Sequence, residues 1–215
     1  MKILEVGAGT GRDSAAMARA GAQVWVLDFS TKSLDIMTAL KKDLSLSSLH
    51  LIQGDAFKTP FADQTFDLVF HQGLLEHFKN PMDLLAENHR ILKKGGTCLV
   101  DIPQTFHPYT IIKKGLIAID RWFAGWETQY TLPQLEKMLR QSGFTTTVHY
   151  GDWMQPTFFY RMFREAAKKI GLTLPLYPLQ QTKYHRIKQR LLKTLSKLRL
   201  SRYTQLSIGV LAQKR

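Results

Sequence analysis

Short apolar runs alternate with amphipathic stretches along the first 150 residues. Residues 3–6 (Ile-Leu-Glu-Val) form a β-prone run, glycines follow at 7, 9 and 11, and residues 15–20 then carry a helical pattern. Residues 23–27 read as a second strand stopping at Asp28. Ser30 or Thr31 can cap the next helix, which runs to about Lys42 with Leu34, Met37 and Leu40 on its inner face. Residues 49–53, 66–70 and 97–102 read as three further strands. Between the last two, Pro81 opens a helix to about Lys94, with Leu84, Leu85, Ile91 and Leu92 inward and Gly95-Gly96 as its stop. Five strands alternating with helical patterns predict an α/β fold, a doubly wound and mostly parallel sheet.

The alternation then changes. After Pro103, Phe106, His107, Pro108 and Tyr109, the residues Ile112, Leu116, Ile119 and Phe123 recur at helical spacing, with Trp122 and Trp126 beside them. This amphipathic helix is either packed on the domain or a lid over a site. Thr131 and Pro133 open another helix that stops at Gly143, residues 144–150 make a sixth strand, and residues 205–213 a last strand, expected to run antiparallel beside the sixth. The expected organisation is one α/β unit over 1–150, a helical insertion over 151–204, and residues 205–215 returning to the same sheet.

Charge separates these parts. Of the net charge of +13 over 215 residues, the first 150 contribute almost nothing, with 16 Lys and Arg against 15 Asp and Glu, whereas 151–215 carry 14 against 2. Within the insertion follow Phe158-Phe159-Tyr160 and then, over 184–200, Ile187, Leu191, Leu195 and Leu198 on one helical face among Lys188, Arg190, Lys193, Lys197 and Arg199. Such a helix can pack on the sheet, lie on an anionic membrane or, less in keeping with its composition, contact nucleic acid. The single cysteine, Cys98, falls in an apolar run and reads as core. With no apolar run of 18 residues, and with a strand rather than a signal sequence at residue 3, a cytoplasmic protein is expected, peripheral to a membrane if that helix docks there.

The glycine loop carries the chemistry. Glycines remove Cβ atoms so that backbone amides can approach a ligand, and the following helix presents its positive end to an anionic group. Counted from Gly7 or Gly9, the third glycine of a dinucleotide fingerprint falls on Arg12 or Ser14, and no Gly-Lys-Ser/Thr ends the loop, so the pyrophosphate and P-loop patterns both fail. What stands is Glu5-x-Gly7-Ala8-Gly9-x-Gly11, with Asp28 at the end of the second strand and Gly54-Asp55-Ala56 after the third. An acid 21 positions beyond Gly7 is placed to accept both hydroxyls of a ribose. Together these motifs resemble the class I S-adenosylmethionine-dependent methyltransferases, closely over residues 2–102 and more loosely over 128–150.

That resemblance implies S-adenosylmethionine as cofactor and a seven-stranded Rossmann-like sheet. It implies a loop of Glu5, Gly7, Ala8, Gly9 and Gly11, the ribose at Asp28 with Phe29 beside it, adenine against Asp55 and Ala56, and the methionine end at His71 and Gln72. Methyl transfer from a sulfonium mainly needs positioning and exclusion of water. If the acceptor is a hydroxyl, a base helps, and His71, His77 and His107 are the candidates; Glu76-His77 reads equally as a packing pair. Phe106, Tyr109, Trp122, Phe123 and Trp126 suggest a small-molecule acceptor that is apolar or lipid-like. RNA methylation through the basic tail, and a binding protein without activity, stand as alternatives. Members of the family usually carry a helix before the first strand. Here Met1 lies a few residues ahead of Glu5, so another segment is expected to close the pocket unless the sequence begins within a longer one. His71-Gln72-Gly73-Leu74 replaces the Asn/Asp-Pro-Pro-Tyr/Phe of enzymes that methylate base amines, and no cluster has metal-ligand spacing.

Overall fold

The computed structural model describes residues 1–121, 126–153, 157–176, 182–196 and 198–215. The chain runs β1 (Lys2–Val6), α1 (Arg12–Arg19), β2 (Gln23–Asp28), α2 (Thr31–Asp43), β3 (Leu49–Gln53), β4 (Phe66–Gln72), α3 (Pro81–Ile91), β5 (Leu92–Pro103), α4 (Pro108–Ala118), α5 (Leu132–Gln141), β6 (Phe144–Asp152), α6 (Phe158–Lys169), α7 (Lys183–Leu195) and β7 (Ser207–Lys214). The seven strands form one sheet in the order β3-β2-β1-β4-β5-β7-β6. β1 to β5 pair parallel, and β7 is antiparallel to both β5 and β6, as the hydropathy pattern led one to expect.

The sheet is buried on two sides because its strands are apolar at successive positions. On one face Ile3, Val24, Val26 and Phe70 pack with Ala15 and Ala18 of α1 and Met37 of α2. On the other, Leu4, Val69, Val100 and Val210 pack with Leu84 and Leu85 of α3 and Leu135 and Leu139 of α5. Cys98 is buried in this second layer. α5 starts where Thr131 and Gln134 form a reciprocal cap, with Pro133 in its first turn.

Several boundaries differ from the sequence reading. α3 ends at Ile91 rather than near Lys94, because Leu92 adopts extended angles and joins β5 beside Phe66. Gly95 and Gly96 therefore lie within a strand segment, at an irregular register, instead of closing a helix. The basic helix stops at Leu195, and residues Arg199–Tyr203 form a separate 3-10 turn. α6 was legible only as the triplet Phe158-Phe159-Tyr160.

α4 leaves most of its apolar stripe open, with Leu116 half-buried. Its helical apolar stripe does not turn inward: Ile111, Ile112 and Ile119 are exposed, while Thr110 and Lys113 are buried. Phe123 and Trp122 lie outside the described residues. The reading of residues 184–200 as a helix packed on the sheet is also corrected, since Ile187 is 66% and Leu191 58% exposed, with Leu195 and Leu198 open as well. Lys197 lies outside the described residues. On α6, Phe159 is 81% exposed, and Met162 and Phe163 are open beside it.

Candidate active site

The loop between β1 and α1 turns on three glycines with positive φ, Gly7 at 69°, Gly9 at 55° and Gly11 at 65°, a region that residues with a Cβ enter at a cost. The Gly7 amide donates to the Leu27 carbonyl at 2.8 Å and the Gly11 amide to the Ala8 carbonyl at 2.9 Å. A side chain at Gly7 would meet Leu74 at 2.7 Å, and one at Gly11 would meet Met37 at 2.6 Å. At Gly9 it would meet nothing within 4 Å, so the loop's outer side is open. The loop delivers the chain to Arg12, where α1 begins with Gly11 as its N-cap.

Around that opening the strand ends bring most of the expected residues together. Asp28 is buried at the end of β2; its Oδ2 accepts from the Gly9 amide at 3.2 Å and its Oδ1 from the Ser30 amide at 2.8 Å. Each oxygen keeps a further lone pair for a ligand hydroxyl. Phe29 is exposed next to it, held through its carbonyl by Gln53. Asp55 is exposed after β3, and its Oδ1 accepts from the Phe57 amide at 2.9 Å, an Asx turn that presents Ala56 half-buried. The Gly54 amide donates to the Asp28 carbonyl, so the ends of β2 and β3 are stitched together. Gln72, at the end of β4, donates to Asp13 in the first turn of α1 at 3.0 Å.

Other expected residues stand back. Glu5 is buried and accepts from the Ser14 hydroxyl of α1, and burial pushes its pKa up to about 7. It braces the loop from beneath. His71 is completely buried with neither ring nitrogen hydrogen-bonded, and burial pushes its pKa down to about 4. His77 is exposed at the end of the 3-10 turn Leu75–His77. His107 caps α4 with its Nδ1 accepting from the Tyr109 amide at 3.2 Å, and burial lowers its pKa. The three histidines proposed as bases are thus not gathered at one point.

Two associations were not legible in the sequence, although Gln72 and Glu76 are singled out there individually. Gln72, Asp101, Gly209 and Tyr150 are consecutive partners across β4, β5, β7 and β6. Tyr150 bonds the Asp101 carboxyl, which is pushed up to about 6 by burial, and the Tyr150 hydroxyl is held well above its usual range by burial and by that carboxylate. The isolated glycine inside the apolar run 208–212 was the available signal, because such a glycine marks a close approach. The second group lies under α4: the buried ion pair of Lys113 with Glu127, and Glu76 in the 3-10 turn after β4. Charges hidden on a helix that reads as apolar leave no periodic signature.

A parallel sheet with an antiparallel β7 slotted between β5 and β6, a loop of left-handed glycines after β1 and an acid at the end of β2 make up the fold of the class I S-adenosylmethionine-dependent methyltransferases. The methyltransferase domain family matches residues 4–100. Over 99 residues the chain is 38% identical to a demethylmenaquinone methyltransferase of Renibacterium salmoninarum, covering 46% of this chain and 40% of that protein. A demethylmenaquinone methyltransferase of Staphylococcus aureus is 29% identical over 177 residues, 77% of this chain and 67% of that one. The chain thus spans about two fifths of the length of the first relative and two thirds of the second. Phosphoethanolamine N-methyltransferase 2 of Haemonchus contortus, solved with S-adenosyl-L-methionine, matches with a TM-score of 0.65 over 100% of this chain and 48% of that one. At 21% identity that likeness shows the fold.

Proposed function

We propose that the protein transfers a methyl group from S-adenosylmethionine to an apolar, lipid-linked aromatic acceptor of the quinone type. The observation that carries the reading is the approach of the Asp28 carboxylate to the Gly9 amide at 3.2 Å, beside a loop whose outer side is open. Bound there, the sulfonium would supply an already activated methyl carbon. The residues suit it: Gly7, Ala8, Gly9 and Gly11 let the chain pass close to the ligand, Asp28 accepts from the ribose, Asp55 and Ala56 flank adenine, and Gln72 faces the methionine end. Ligands of open α/β sheets bind at these carboxyl ends.

Support for an apolar acceptor comes from the far side of the site and from the relatives' names. Phe106 and Trp126 are exposed in the segment that follows β5, and α4, α6 and α7 carry further apolar residues open to solvent. No helix among the described residues is long and apolar enough to cross a membrane. The basic and apolar faces of α6 and α7 suit contact with an anionic leaflet, where a lipid-linked acceptor would reside. Calorimetry with S-adenosylmethionine and S-adenosylhomocysteine, followed by methyl transfer to 1,4-naphthohydroquinones with and without a prenyl chain, tests the reading. Binding without transfer to either would leave the fold as a binding protein; equal rates on small polar acceptors would overturn the apolar class.

A further inference from the structure

Beneath α4 the molecule encloses a polar cluster that the cofactor loop does not use. α4 turns Lys113 inward to Glu127, and both side chains are almost wholly buried. The returning segment is fastened to the turn after β4 by the Thr128 amide, which donates to the Glu76 carbonyl at 2.8 Å. Glu76 is 2% exposed, and its Oε2 has no hydrogen-bond donor. Its Oε1 lies 3.6 Å from where a side chain at Gly73 would begin. The Gly73 amide in turn donates to the Asp101 carbonyl at 3.0 Å. The carboxyl group therefore stands by the carboxyl ends of β4 and β5, three residues past Gly73 and four past Gln72, next to the methionine end proposed above.

A buried carboxylate oxygen without a donor is rare in folded proteins. We infer that Glu76 is the proton acceptor for a hydroxylated aromatic acceptor, a phenol or hydroquinone, whose O–H fills that missing donor. The inference rests on the proposed function. In the step, the O–H proton passes to Glu76 Oε2, and the electron pair left on oxygen forms the new bond to the methyl carbon. That bond forms either at oxygen or at the conjugated ring carbon, whose own hydrogen then returns to oxygen. The carbon–sulfur pair stays on sulfur, the sulfonium becomes a neutral thioether, Glu76 becomes a neutral acid, and charge balances. Burial, with Glu127 and Asp101 adding and Lys113 opposing, pushes the Glu76 pKa up to about 7, where a base is matched to neutral conditions. Burial, and after it the same carboxylate, raises the pKa of Tyr130. α4 would move to admit the ring.

2-Naphthol tests this without turnover, since its emission shifts when a neighbouring base takes its proton. The parent protein should hold bound naphthol that emits as naphtholate. Glu76→Gln should bind it equally and emit as neutral naphthol, and Glu76→Asp should keep part of the naphtholate band. With 1,4-naphthohydroquinone, Glu76→Gln should lower kcat by about 10²–10⁴-fold, leave KM within a few fold and abolish the acid limb of the parent pH profile near 7. S-Adenosylmethionine binding should not change. Naphtholate emission surviving in Glu76→Gln, or kcat within tenfold of the parent, overturns the role of Glu76. A parent that deprotonates naphthol through Glu76 yet never methylates the hydroquinone supports the base and overturns the acceptor class instead. A parent that binds no naphthol overturns the inference.

Discussion

Tyr150 lies across Gly209, its cross-strand partner, with its ring in the space that any side chain at 209 would need, and from there it reaches the Asp101 carboxyl. Three strands are thereby joined by one hydrogen bond made over a glycine. Gly209→Ala should displace the ring and lower stability by roughly 2–4 kcal/mol, an overpacking cost plus a stranded polar pair. Tyr150→Phe should cost less. Tyr150→Ala should make the second change at 209 nearly free, a non-additivity that urea titration of the two single variants and the double variant would read directly. Simple addition of the two effects would mean that the contact is not energetically coupled.

Asp28 holds the Gly9 amide and is proposed to hold the ribose, so its loss acts twice. Asp28→Ala should weaken S-adenosylmethionine binding by about 1–3 kcal/mol, roughly 5-fold to more than 100-fold in Kd, by leaving the ligand hydroxyls and the amide without an acceptor. Asp55→Ala should weaken it to a smaller extent, because Asp55 is exposed and braces only its own turn. Calorimetric affinities equal to the parent in both variants would place the ligand elsewhere.

Three carboxyls are raised by burial, Glu5 and Glu76 to about 7 and Asp101 to about 6. A carboxyl with a folded pKa above its unfolded value contributes stability that is complete below the unfolded pKa and is lost as pH rises through the folded one. His71, lowered to about 4, works the other way, its contribution complete above about 6.5 and lost as pH falls. Above about pH 7 the lowered histidines have nearly completed their contribution while Glu5 and Glu76 are still losing theirs, so the melting temperature should fall. Glu76→Gln should melt above the parent at pH 8, by on the order of 1–3 kcal/mol of added stability, and no higher than it at pH 5. Equal curves for parent and variant across the range would show that Glu76 does not titrate in the folded protein.

Lys113 and Glu127 form a buried ion pair, and removing one charge strands the other. Lys113→Met should cost about 3–5 kcal/mol, while Lys113→Met with Glu127→Leu should recover most of it. Thermal melts distinguish this from a pair that is worth little. If the double variant melts no better than Lys113→Met, the network extends beyond these two side chains.

On α7, Leu191→Glu with Leu195→Glu alters residues that the structure leaves open to solvent, so the melting temperature should stay within a few degrees of the parent. Sedimentation with anionic vesicles should be lost, because charge is placed where the apolar face must enter the interface. A parent that does not sediment ends the membrane reading. A parent that instead binds RNA with a steep salt dependence would favour the nucleic-acid alternative.

The parallel half of this fold was readable because its strands are apolar runs, three of them followed by a glycine and one ending at an acid, with amphipathic helical patterns between them. The positions of the loop at 7–11, Asp28 and Asp55 were readable for the same reason: each lies where a strand ends. Which way α4 faces was not readable, because its inward face holds Thr110 and Lys113, the Glu127 partner of Lys113 lies outside the helix, and periodicity reports only the apolar side. Glu76 and Asp101 acquire their character from burial by distant segments. No local pattern encodes that. The open faces of α6 and α7 follow the helical period well, and periodicity alone does not say what an apolar stripe faces.

Asp152 and Ser207 are direct partners across β6 and β7, so the whole excursion through α6 and α7 leaves and rejoins the sheet at two points about 5 Å apart. Chain closed between adjacent anchors can lengthen at little entropic cost, since each doubling adds only about 0.6 kcal/mol. The hairpin is therefore a socket: related chains could exchange the segment mounted there, retuning which surface the protein meets, while the glycine loop across the sheet stays as it is.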